Sequence, residues 1–131
     1  MASLVGTWDY VSAENLDAYM TATAVPDNLK ELAKNSKPTL NITQDGDNWS
    51  LKTTVSDKVK DTTFKVGEEF STKSLTGQDL QCTVTMEGER MVETQKAGDV
   101  TIVITREVKG DQLVSTMTVG GVTATVYFKK A

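Results

Sequence analysis

The hydrophobic positions of this chain alternate with polar ones over short stretches, and turn residues interrupt the alternation about every ten to twelve positions. The markers are Asp45-Gly46, Gly67, Gly77, Gly88, Gly98, Gly110 and Gly120-Gly121. A period of two between such markers predicts half-buried antiparallel strands joined by hairpins. The segments read as strands are 4–11, 39–44, 48–55, 62–66, 69–74, 80–87, 90–96, 100–108, 112–119 and 122–129. Along them the inward parity runs Leu40 and Ile42; Trp49 and Leu51; Phe64 and Val66; Leu80, Cys82, Val84 and Met86; Ile102 and Ile104; Met117 and Val119; Ala124, Val126 and Phe128. Val103 and Tyr127 fall on the opposite parity. Trp8, in Gly6-Thr7-Trp8, is expected to plug one end of the resulting core.

Only residues 14–35 break the period. Asn15 is suited to cap a helix, and Leu16, Tyr19 and Met20 share one helical face. Pro26 starts a second helix, in which Leu29, Leu32 and Ala33 share a face while Lys30, Glu31 and Lys34 point away. Pro38 ends the block. Two short helices before a long meander predict an all-β fold: an up-and-down antiparallel barrel of ten strands with a helix-turn-helix lid. Small barrels of that kind enclose a ligand, so the inward residues matter most.

Composition narrows the partners. The 131 residues suit one domain, 1–131, and the net charge of −4 argues against nucleic acid. The single cysteine, Cys82, cannot pair within the chain, which favours a reducing compartment. The start, Met1-Ala2-Ser3-Leu4, lacks the charged and apolar regions of a signal peptide, and no apolar run is long enough to span a bilayer. A cytoplasmic, soluble and monomeric protein is expected. An enzyme is not: the chain contains no histidine, which removes His-dependent triads and most metal sites. Cys82 has a core parity and no histidine to activate it. Glu68 and Glu69 point to opposite faces. No cofactor is expected.

The parity of Ile102 and Ile104, carried on by two residues, reaches Arg106. A guanidinium inside a barrel needs an anion or a hydrogen-bonded network. A ligand carboxylate suits its planar fork. The alternative is a structural pair. Glu93 lies on the preceding strand and Gln95 shares its parity, so either can face Arg106.

Several motifs then carry a resemblance. Gly6-Thr7-Trp8 followed by Ser12-Ala13-Glu14-Asn15-Leu16-Asp17-Ala18-Tyr19-Met20, Lys37-Pro38, Phe64-Lys65-Val66-Gly67-Glu68-Glu69-Phe70, and Gly121-Val122-Thr123 resemble the intracellular lipid-binding proteins. This is the fatty-acid-binding protein family of the calycins, and the resemblance spans essentially the whole chain. It implies a ten-stranded barrel built as two near-orthogonal five-stranded sheets, a lid, and an internal cavity for a long-chain fatty acid or a similar hydrophobic molecule. From the sequence Lys30 and Lys34, with Lys58 across the entrance, read as a solvated helix face diluted by Glu31; the resemblance implies transient contact with anionic membranes as the alternative.

Members similar to the myelin and adipocyte types hold the carboxylate with two arginines and a tyrosine. Arg106 matches the first arginine. The other two positions are Val126 and Phe128, a departure that leaves Arg106 alone, as in the intestinal type. The retinol type uses glutamines there and is not matched. The second helix is similar to the liver and bile-acid-binding branch, so a retinoid, bile-acid or other lipid carrier, or a membrane-interacting module, stays as an alternative. The resemblance also implies a lid lining of Leu16, Tyr19, Met20, Val25, Leu29 and Ala33. Around the entrance and wall it implies Pro38, Thr53, Asp57, Leu75, Thr76 and Gln78, and in the deeper wall Ile104, Ser115 and Met117. Loss of the second arginine and the tyrosine is expected to weaken carboxylate selectivity more than lipid binding in general.

Overall fold

The computed structural model describes residues 4–22, 38–55, 58–73, 79–88, 90–98 and 100–131. The strands are β1 (Gly6–Glu14), β2 (Thr39–Asp45), β3 (Asn48–Val55), β4 (Lys58–Lys65), β5 (Phe70–Lys73), β6 (Asp79–Glu87), β7 (Arg90–Ala97), β8 (Val100–Lys109), β9 (Gln112–Val119) and β10 (Val122–Lys130). A helix, α1 (Leu16–Ala22), follows β1. All ten strands join one antiparallel sheet in the order β4-β3-β2-β1-β10-β9-β8-β7-β6-β5. The first and last strands pair along their length, which closes an up-and-down barrel except for the seam between β4 and β5.

The hairpins explain the even spacing of the turn markers. Glu87 pairs with Arg90, Ala97 with Val100, Lys109 with Gln112, and Val119 with Val122, leaving two-residue loops that begin at Gly88, Gly98, Gly110 and Gly120. Each of these glycines has a positive φ, from 50° to 67°. Left-handed backbone at the first loop position matches the twist of the flanking strands, and glycine reaches it without a steric penalty. Gly77 lies outside the described residues.

The alternation places the core as expected at most positions. Leu40, Ile42, Trp49, Leu51, Phe64, Leu80, Cys82, Val84, Ile102, Ile104, Val119, Ala124, Val126 and Phe128 are buried. Met86 and Met117 are partly buried, and Val66 is exposed, at 37%. It follows the end of β4 at Lys65, and in the turn the strand parity no longer applies. Trp8 is 2% exposed and plugs the core, its indole Nε1 donating to the Leu4 carbonyl at 2.9 Å. Lys130 lies over its ring at 5.1 Å and donates to the Val5 carbonyl at 3.2 Å.

Three element boundaries differ from the pattern. The first strand runs on past Val11 to Glu14, the residue that opens the helical block in the pattern. Its pairing with β10 skips between Tyr10 and Ser12, so Val11 is a bulge and faces solvent. The bulge restores inward parity at Ala13, opposite Val126. Second, Asn15 accepts the first helical bond, from the Tyr19 amide at 3.3 Å, but does so in the left-handed region with φ 60°. Its side chain donates to the Thr123 carbonyl at 2.9 Å, which ties the helix start to β10 instead of capping its amides. Third, β4 begins at Lys58, earlier than the apolar pattern indicated, because β3 and β4 pair without interruption from Val55–Lys58 to Asn48–Lys65. The expected second helix lies outside the described residues.

Candidate functional site

Three adjacent strands build the polar centre of the barrel. On β7 the inward residues are Met91, Glu93, Gln95 and Ala97, all buried. On β8 the inward residues Ile102 and Ile104 are followed by Arg106, as alternation requires. Register brings the two strands together with Met91 opposite Arg106 and Glu93 opposite Ile104. Glu93 is therefore the diagonal neighbour of Arg106, within reach of a long side chain.

Arg106 Nη1 donates to Glu93 Oε1 at 2.8 Å. The two side chains are 13% and 7% exposed. Gln95 Nε2 donates to the second Glu93 oxygen, Oε2, at 2.5 Å. Of the two arrangements open from the pattern, direct pairing of Arg106 with Glu93 is the one observed, and Gln95 supports Glu93. The pair satisfies a charge that would be costly alone in the barrel.

On β9, Ser115 stands opposite Arg106 and, on its other side, opposite Val126 of β10. Ser115 is 5% exposed, and its Oγ has no hydrogen-bond partner among the described residues. A buried hydroxyl without a partner costs stability, so it marks a place where a polar group would be welcome. Phe128 is buried and meets Tyr10 edge-on at 6.4 Å. Tyr127 pairs with Val114, on the opposite parity, so no bulge in β10 turns it inward; the bulge sits in β1.

A cavity opens beside this cluster, lined by Leu51, Thr53, Thr62, Phe64, Phe70, Glu93, Gln95 and Arg106. Phe64 and Phe70 stack across the seam between β4 and β5, with ring centroids 5.5 Å apart and planes at 11°. The cavity is thus polar at the β7–β8 wall and largely apolar toward the seam.

The helix closes over the opposite wall, against β9 and β10. Tyr19 packs on Ile102, Ile104 and Val119, beside Met117, and Met20 is buried. The Tyr19 phenol is pushed up to about 12, first by burial and then by the negative charge of Glu93, with Arg106 acting in the opposite sense. Tyr19 therefore feels both charges of the cluster.

Of the anticipated site residues, Thr53, Glu93, Gln95 and Arg106 line one cavity. Ile104, Ser115, Val126 and Phe128 are buried, and Met117 is partly buried. Leu16 is half-buried. Pro38 accepts a hydrogen bond from the Tyr10 amide at 3.2 Å and so fixes the chain where it enters β2. Val25, Leu29, Ala33, Asp57, Leu75, Thr76 and Gln78 lie outside the described residues. Thr62, Phe64, Phe70 and Leu51 were not anticipated as cavity lining. Thr62 is legible from Phe64 by stepping back two residues. Phe70 depends on the seam, which alternation does not reveal.

A nearly closed ten-stranded barrel with a helix across one wall and a cation inside defines the class: a small-molecule-binding β-barrel. The model of the lipocalin / cytosolic fatty-acid binding protein family matches residues 1–131, and the chain belongs to that family. It is 37% identical over 131 residues to fatty acid-binding protein type 2 of Fasciola hepatica, covering 99% of each chain. It is 34% identical over 129 residues to sodium/calcium exchanger regulatory protein 1 of Doryteuthis pealeii, covering 98% of this chain and 97% of that one. Among solved structures, the Schistosoma mansoni fatty acid binding protein in complex with arachidonic acid superposes with a TM-score of 0.96 at 35% identity, covering 100% of this chain and 98% of that one. No helix among the described residues is long and apolar enough to cross a membrane.

Proposed function

We propose that this protein is a non-enzymatic carrier that holds a long-chain fatty acid inside the barrel, with the head group at Arg106. One observation carries the reading: a guanidinium sits inside a lipid-binding fold, at the wall of a cavity whose other side carries Leu51, Phe64 and Phe70 beside Thr53 and Thr62. Arg106 gives Glu93 one nitrogen, so the rest of its fork is available for a ligand oxygen. Ser115 offers a hydroxyl alongside. An alkyl tail contributes about 0.8 kcal/mol per buried methylene, so Leu51, Phe64 and Phe70 supply affinity that does not depend on the head group. Val126 and Phe128 add neither cation nor hydroxyl, which makes this a reduced head-group site.

Catalysis has little to work with here. The chain has no histidine, and Cys82 is 0% exposed, closed to any substrate. The same reading places the protein in the cytoplasm as a monomer, loading and releasing its cargo at anionic membrane surfaces through Lys30, Lys34 and Lys58.

Calorimetric titration of the delipidated protein with oleate tests the carrier. Saturable binding with a Kd of about 1 μM or tighter is expected. Arg106→Gln is expected to weaken it by about tenfold or more, since it removes the charge-assisted contact. Absence of saturable binding would contradict the reading.

A further inference from the structure

We propose that Glu93 sets head-group selectivity: it is a built-in carboxylate that competes with the ligand's own carboxylate for Arg106. The inference rests on the carrier reading and deepens it.

Among the described residues the barrel's polar centre contains one cation and one anion, Arg106 and Glu93, held at 2.8 Å and almost fully buried. Gln95 anchors the far oxygen of Glu93 at 2.5 Å, so the carboxylate is held in place from two sides. The cluster is neutral before any ligand arrives. At the two positions nearest in the last strand, Val126 and Phe128, no second cation compensates for Glu93. An ionised fatty acid entering this centre gains Arg106 but also approaches Glu93, and like charges in a desolvated site oppose each other strongly. A neutral hydroxyl meets no such opposition. It can pair with Arg106 as an acceptor, and with the partnerless Ser115 Oγ as donor or acceptor. The phenol of Tyr19 already registers this balance. After burial, the charge of Glu93 raises it and is the larger electrostatic influence, while Arg106 lowers it.

Selectivity is then a matter of counting charges. The centre is neutral as it stands, positive in Glu93→Gln and negative in Arg106→Gln. It is neutral again in the double substitution, where two amide-bearing side chains replace the ion pair. The test measures the affinities of oleate and of oleyl alcohol for all four delipidated proteins, at a pH of about 8 where a carboxylic acid is ionised. The ratio of oleate to alcohol affinity is expected to rise about tenfold or more in Glu93→Gln and to fall by a similar factor in Arg106→Gln. The double variant is expected to lie between them. Alcohol affinity alone changes far less. If Glu93→Gln fails to fold with its arginine left unpaired, comparison of Arg106→Gln with the double variant carries the test, because the second change again removes the Glu93 charge. A ratio that stays within about twofold when that charge is removed overturns the proposal while leaving the carrier reading intact. Failure of both ligands to bind the unsubstituted protein overturns the two together.

Discussion

Tyr19 reaches from α1 onto Ile102, Ile104 and Val119, and its phenol is the titratable group that reports on the polar centre. Burial, reinforced by Glu93, keeps it protonated up to about 12, against 10.0 for an ordinary tyrosine. The consequence for stability has a definite sign. Between about pH 10 and 12 the folded chain keeps a proton that the unfolded chain has lost, so stability falls as pH rises through this window. Below about 10 the contribution of Tyr19 is fully present. Absorbance titration should therefore show a tyrosine step well above pH 10, and Tyr19→Phe should remove that step. Ionisation of Tyr19 near 10, the ordinary tyrosine value, would contradict this environment. At this scale the sequence was informative in part. Alternation alone placed Arg106, Glu93 and Gln95 on the inner face. It could not say which of them touch, because a period of two fixes the face and leaves the stagger between strands open. That stagger, Met91 opposite Arg106, makes Glu93 the partner. Ser115 was anticipated from the resemblance, but its missing partner is a property of three strands together.

At the scale of elements the seam between β4 and β5 is the weak line of the sheet, since no ladder joins these two strands. Among the described residues, two contacts hold this region together. The Phe64 and Phe70 rings stack, and the Gly67 amide donates to the Val84 carbonyl on β6 at 2.7 Å. Phe70→Ala removes the stack from a half-buried position and should destabilise the protein by about 1–3 kcal/mol, less than a fully buried phenylalanine would. Urea denaturation measures it. A transition midpoint unchanged from that of the unsubstituted protein would mean that the stack contributes nothing to holding the seam. Element boundaries were read best where glycine sets a two-residue hairpin, as at Gly88, Gly98, Gly110 and Gly120. They were read worst where polar residues continue a strand. Lys58 to Asp61 carry few apolar side chains, yet they pair fully with β3. Val11-Ser12-Ala13 carries no turn residue to announce a bulge, so in the pattern the strand ends at Val11 and Glu14 opens the helical block.

For the whole molecule the decisive feature is closure through the two ends of the chain. β1 pairs with β2 on one side and β10 on the other, and the Ala131 amide donates to the Thr7 carbonyl at 2.9 Å. Lys130 secures the same corner over Trp8. Within that frame the β7–β8 and β8–β9 hairpins bring Glu93, Arg106 and Ser115 from three neighbouring strands into one buried centre, in a chain whose net charge is −4. An acidic exterior around an internal cation suits a protein whose anionic cargo is recognised inside the barrel and not on its surface. The proposed binding mode puts the head group of the cargo at Arg106, with its tail toward Phe64 and Phe70. A crystal structure of the delipidated protein soaked with oleate tests this most directly. The account predicts a carboxylate oxygen within hydrogen-bond distance of Arg106 and Ser115, with the alkyl chain against the two phenylalanines. A carboxylate found at the barrel mouth, with Arg106 still closed on Glu93 and only the tail inside, would contradict it.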